Sequence, residues 1–171
     1  MSIEKAKKML PNIPDEVFDI WLSELIKRDG WPFESTTDSL VGTPWIKHLG
    51  GLPLEILANF IWNRKLFTFN TLPLKQFNRL VIKRMFSESI DKFGALTNGP
   101  FINSKERLLF HIDKITRTGR FWAPIILATA GGDLDILDGF HRIVALLILK
   151  KEDIEIDAWV AYHPQYDSTI E

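Results

Sequence analysis

The 171 residues are 46% hydrophobic with a formal net charge of −1, enough apolar material for a packed core and too little positive charge for a surface that binds nucleic acid throughout. Cysteine is absent, which excludes disulfides and cysteine-ligated metals. No apolar run reaches the length of a membrane span, and the charged start MSIEKAKKML lacks the apolar centre of a secretory leader, so a cytoplasmic protein with no membrane partner is expected.

Residues 1–12 read as a short helix or tail, and Ile13-Pro14-Asp15 opens a helix whose apolar face is Phe18, Trp21, Leu22, Leu25 and Ile26, stopped at Gly30. The tract from Trp31 to Gly51 is rich in Gly, Pro, Ser and Thr and reads as loop, pinned by Trp31, Phe33 and Trp45. With Pro53 in its first turn, Leu54 to Trp62 predicts a helix, and Leu66 to Asn70 a short strand. A longer helix starts at Pro73, with Phe77, Leu80, Val81, Met85 and Phe86 as its buried stripe and Arg79, Lys83 and Arg84 as a modest basic patch on the other side. Gly94 to Ile102 is a linker. The first hundred residues are therefore expected to be a mainly helical region packed on a core formed by residues 101–171.

Asn103 or Ser104 is placed to cap the next helix, with Leu108, Leu109, Ile112 and Ile115 facing inward and Gly119 ending it. Then comes PIILATAGGDLDILDGFHRIV, Pro124 to Val144, which gathers more polar chemistry at an element junction than any other stretch. Ile125 to Ala128 predicts a strand, Gly131-Gly132 a hairpin turn, Leu134, Ile136 and Leu137 the returning strand, Asp138 to His141 a tight loop, and Arg142 to Lys150 a helix. A last strand runs from Ile154 to Ala161, and a loose tail from His163. The expected fold is α+β, a small mixed sheet with flanking helices.

In the loop, Gly139 lets the backbone turn sharply or approach a ligand closely. The following helix offers unpaired N–H groups and the positive end of its dipole, which favour phosphate, and His141 and Arg142 add donors from the same turn. Asp138 is a candidate to orient His141, to take a hydroxyl proton or to coordinate magnesium. The same residues also admit a plain structural account: Asp138 as a helix cap, His141 as a half-buried core residue and Arg142 paired to a surface acid. The four histidines, His48, His111, His141 and His163, show no metal-ligand spacing, and His111 reads as structural.

The order helix, Gly119, Pro124-Ile125-Ile126, hairpin, then Leu137-Asp138-Gly139-Phe140-His141-Arg142-Ile143-Val144-Ala145 resembles the ParB/sulfiredoxin superfamily, from about Asn103 to Ala161. The resemblance implies a nucleotide-binding fold, with ATP or another nucleotide and Mg²⁺ as cofactors. It places nucleotide phosphates on Gly139, His141 and Arg142, and Asp138 at the acid of the D-G-x-H-R members, which include a free-serine kinase. Through that kinase branch it also implies Glu106 as a catalytic acid, beside Asp138 and His141, with Asp138 as the metal ligand. Thr116, Arg117 and Arg120 would face the nucleotide from the preceding helix end. Position 140 is Phe rather than the cysteine of sulfiredoxins, so sulfinic-acid reduction by that route is excluded. His141 replaces the first arginine of the Arg-Arg form, and no helix-turn-helix pattern follows the last strand, which counts against a DNA clamp. Three functions are therefore carried forward: a nucleotide-dependent phosphotransferase or hydrolase, a non-catalytic nucleotide-sensing module with a protein partner on its N-terminal helices, and a ParB-like DNA-binding protein or nuclease.

Overall fold

Ile125, Ile126 and Leu127 have no solvent-exposed surface at all. Three consecutive buried positions cannot belong to a strand with one wet face; they need cover on both sides, as in the interior of an α/β-type sheet. The computed structural model, which describes residues 10–22, 59–101, 103–129 and 132–162 together with 4, 7 and 8, supplies that cover. The helix continuation to Gly30, the loop from Trp31 to Gly51, the helix start at Pro53 and the tail from His163 lie outside the described residues.

A four-stranded sheet has the order β1-β4-β2-β3, with β1 Ile61–Phe67, β2 Ile125–Thr129, β3 Leu134–Asp138 and β4 Ile156–Tyr162. β4 runs antiparallel to β1 and parallel to β2, and β2 and β3 form the expected antiparallel hairpin, so the sheet is mixed. A short helical turn, α1 (Asp15–Val17), continues as a π turn over Phe18–Leu22. The longer helices are α2 (Gln76–Glu88), α3 (Ser104–Thr118) and α4 (Phe140–Ile148). α4 buries five successive residues, Arg142 to Leu146, and packs against both α2 and α3. A helix apolar on every side belongs in the middle of a fold, and Ile143, Val144, Ala145 and Leu146 join Ile125, Leu127, Ala158 and Val160 in one core. No helix among the described residues is long and apolar enough to cross a membrane.

The structure corrects the predicted elements at four main places, and it also moves the last strand from Ile154–Ala161 to Ile156–Tyr162 and the start of α2 from Pro73 to Gln76. Ile61 and Trp62, expected to close a helix, begin β1 instead, and the strand ends at Phe67 rather than at Asn70. The cause is non-local pairing with β4. Arg64 lies opposite Trp159 with its guanidinium 5.8 Å from the indole, donates from Nε to Asp157 at 2.9 Å and reaches Glu16 of α1 at 2.8 Å. Cross-strand contacts of this kind outweigh a short helical period.

In α2 the buried face is Asn78, Ile82 and Met85, while Phe77 and Leu80 of the expected stripe are 70% and 56% exposed. Asn78 turns the helix: its amide donates to Asp135 at 2.7 Å and its carbonyl oxygen accepts from the Ile136 N–H at 3.4 Å, which locks that side of α2 onto β3. Arg79 of the predicted basic patch donates to the carbonyls of Leu74 and Leu72, and Arg84 pairs with Glu88.

Neither Asn103 nor Ser104 caps α3 through its side chain; Asn103 adopts a left-handed conformation and Ser104 is buried. Leu109, expected inside, is 48% exposed, while Leu108 and Ile115 are buried and Gly119 closes the helix at φ 68° as expected. Finally, α4 begins at Phe140, so the loop after β3 shrinks to Gly139, and Asp138 is the last strand residue.

Gly139 sits at φ +121°, and a Cβ there would lie 2.5 Å from Ile125 Cγ2. The backbone conformation and the contact both demand glycine, because β3 hands over to α4 directly against β2. Gly139→Ala should therefore lose roughly 3–5 kcal/mol, from backbone strain plus overpacking. Gly132→Ala, at φ +101° with open space around it, should lose only about 1–2 kcal/mol. Urea midpoints of the two variants check the difference.

Candidate functional site

The end of β3 and the first turn of α4 face an open cavity of about 1130 Å³, lined on its other sides by α2, α3, Phe101, Trp122 and the π turn at Ile20 and Trp21. A β-bulge between Ile126 and Leu127 shifts the β2–β3 register, so that Ile126 pairs with Asp138 and Leu127 with Ile136. The bulge breaks the simple alternation of β3, and Asp135 and Asp138, three residues apart, both come to line the cavity.

Arg142 is the buried centre of this region, 3% exposed. Its Nη1 donates to the carbonyls of Ala123 at 2.8 Å and Pro124 at 2.7 Å, and its Nη2 to the Asp138 carboxylate. The Arg142 guanidinium lies over the Trp122 ring, its Cζ 5.8 Å from the ring centroid. Burial pushes the Arg142 pKa down while Asp138 pulls it back up; an arginine keeps its charge under such opposing effects. One buried cation thus holds the chain entering β2, the end of β3 and the start of α4.

Two imidazoles flank that pair. His141 Nε2 lies 3.1 Å from the hydroxyl of buried Ser104, and Phe101 meets its ring edge-on at 6.5 Å. His111 Nδ1 accepts from the Trp122 indole N–H at 3.3 Å, which places the proton of the neutral ring on Nε2. Burial, reinforced by Arg107, lowers the His141 pKa to about 4. Burial, then the charges of Arg142, His141 and Arg107, lowers that of His111 to about 4 as well. Both rings are therefore neutral near pH 7.

The cavity carboxylates are already matched. Asp138 is held by Arg142, and Asp135 accepts from Lys75 Nζ at 2.5 Å and from Asn78 at 2.7 Å. Arg107 differs: it is exposed, lines the cavity, and has no ion pair or side-chain hydrogen bond among the described residues. An uncompensated guanidinium beside two neutral imidazoles and the N-terminal turn of α4 gives the cavity a positive bias.

The structure brings Asp138, Gly139, His141 and Arg142 together at the cavity, as the sequence suggests. It does not bring Glu106, Thr116, Arg117 or Arg120 there; all four are exposed, and Arg117 pairs with Asp113 along the surface of α3 at 2.8 Å. The first half of α3 faces the cavity, through Arg107, Phe110 and His111. These and Trp122 are absent from the sequence-based site. A signal for one of them existed: Ser104, Leu108, His111 and Ile115 fall on one helical stripe, so a serine and a histidine interrupt an otherwise apolar face. Among the described residues no group of three or more His, Asp or Glu could hold a metal ion, and a cation bound to Asp138 would have to compete with Arg142.

Arg142→Ala should cost about 3 kcal/mol in denaturant unfolding, since it strips the charge that two buried carbonyls and a carboxylate rely on. The histidines set a second expectation. Their folded pKa values, about 4, lie below the ordinary 6.5, so the folded state binds fewer protons. The stability they confer is complete above pH 6.5 and is lost as the pH falls through 4. The melting temperature should fall over that window, and ring-proton NMR should find both midpoints below 5; midpoints near 6.5 would contradict the burial described.

No protein-family model, curated protein or solved structure matches the chain.

Proposed function

We propose that the protein binds a nucleotide in the cavity between β3, α3 and α4, with its phosphates between Arg107, His141 and the first turn of α4. The observation that carries this reading is that Arg107, which has no ion pair among the described residues, lines the same cavity as that turn, and the two carboxylates there are both neutralised. An anion there meets one free guanidinium, the positive end of the α4 dipole and nearby imidazoles. The resemblance to ParB/sulfiredoxin-like proteins supports the same reading. The hairpin followed by Asp138-Gly139-Phe140-His141-Arg142 at a helix start stands where that superfamily keeps its phosphate loop.

Binding is favoured over phosphoryl transfer. A transferase needs a carboxylate or metal free to act on the attacking group. Both acids in the cavity are engaged by cations, and Glu106 stands outside it. The roles also divide between two elements: Arg142 serves the scaffold that shapes the loop, and Arg107 of α3 takes the part of phosphate ligand.

Calorimetric titration with ATP, ADP, CTP and GTP, with and without magnesium, tests the proposal. At least one should bind, and Arg107→Ala should weaken it about tenfold or more, as expected for a lost charge-assisted contact. The substitution should leave the unfolding midpoint unchanged, because Arg107 is exposed and has no partner among the described residues. Absence of binding by every nucleotide to the folded wild type would overturn the reading.

A further inference from the structure

A phosphate fills only a small part of a 1130 Å³ cavity, a volume somewhat above the usual range of sites that hold whole small-molecule ligands. The wall next to Arg107 is aromatic. Phe110 and Trp122 both line the cavity, and they remain 48% and 52% exposed. Their centroids are 6.0 Å apart and their planes stand at 82°, so they form a corner of two nearly perpendicular rings. The corner is held in place before any ligand arrives. Trp122 donates its indole N–H to His111 and rests on the Arg142 guanidinium, and Phe110 meets the His111 ring edge-on at 5.3 Å. Rings fixed by their neighbours lose little freedom on binding. Lys114 Nζ, 5.6 Å from the Phe110 centroid, adds a further positive charge beside the corner. Two half-exposed aromatic rings within one cavity, next to an arginine unpaired among the described residues, match a ligand with a flat heteroaromatic part joined to an anionic part.

From this geometry we infer that Phe110 and Trp122 hold the base of the bound nucleotide, stacked on one ring and edge-on to the other. The inference rests on the anion site around Arg107 and adds the part of the ligand that the site recognises. Stacking tolerates any base, because each has a π face. Neutral His111, with its Nδ1 occupied by Trp122, offers its Nε2–H as a donor to an acceptor on the base edge.

The test compares nucleoside triphosphates with inorganic tripolyphosphate, the same anion without a base, by calorimetry on the full chain. The best nucleoside triphosphate should bind wild type about 5- to 150-fold more tightly than tripolyphosphate, the range that one base–aromatic stack provides. Phe110→Leu should remove most of that gap and leave tripolyphosphate within about twofold of wild type; the side chain is half exposed on a helix surface, so the fold should tolerate the change. Trp122→Phe, which keeps an aromatic face but loses the indole N–H, should keep part of the gap. If tripolyphosphate binds wild type as tightly as every nucleotide and Arg107→Ala weakens both, the anion site stands and the base clamp is wrong. If neither binds, both readings fall together.

Discussion

The structure depends on one buried cation. Arg142 enters the core in the first turn of α4 with almost no exposure, and a guanidinium is tolerated there only when its donors are satisfied. Its three acceptors come from two places in the chain: the carbonyls of Ala123 and Pro124 before β2, and the carboxylate of Asp138 at the end of β3. Because these bonds must form together, they fix how the hairpin and the helix meet. Gly139 then has no room for a side chain, with Ile125 directly beneath it. The Asp-Gly-x-His-Arg run is therefore a structural clamp before it is anything else, and the cavity it shapes is a consequence of that clamp.

The same need for compensation decides the electrostatics of the cavity. Each acid has a cation, Asp138 with Arg142 and Asp135 with Lys75, and the two imidazoles lose their protons to burial. What remains uncompensated is Arg107. The only unmatched charge lining the cavity among the described residues is therefore positive, with half-exposed aromatic rings beside it, and the proposed binding of a flat anion rests on that imbalance. Neutral histidines add a coupling. An anion near them favours their charged form, so binding at mildly acid pH would draw in protons.

Parts of the fold were plain in the sequence because they follow from local rules. The α+β class, the hairpin of β2 and β3, the Gly119 helix end and the buried helix after Asp138 all follow from periodicity and turn chemistry within short windows. β1 was not legible. Its residues resemble the end of a helix, and only pairing with β4, about ninety residues later, together with the Arg64 contacts to Asp157 and Glu16, makes a strand of them. The rotation of α2 was hidden for a similar reason: the apolar stripe through Phe77 and Leu80 marks a different face, and only β3 supplies partners for the Asn78 amide.

For the site, the sequence by itself determined which residues cluster at the strand–helix junction, because Asp138, Gly139, His141 and Arg142 are neighbours in the chain and one tight turn must keep them together. Only the tertiary structure decided what they do. Hydrogen-bond satisfaction of a buried charge is a property of the assembled core, and it turned Arg142 inward. The packing of α3 against α4 brought Arg107, Phe110 and His111 to the cavity and left Glu106, Thr116, Arg117 and Arg120 on the outside. A helix offers several faces, and the face turned to its neighbour is set by which of its residues find room and partners there, which no local pattern records.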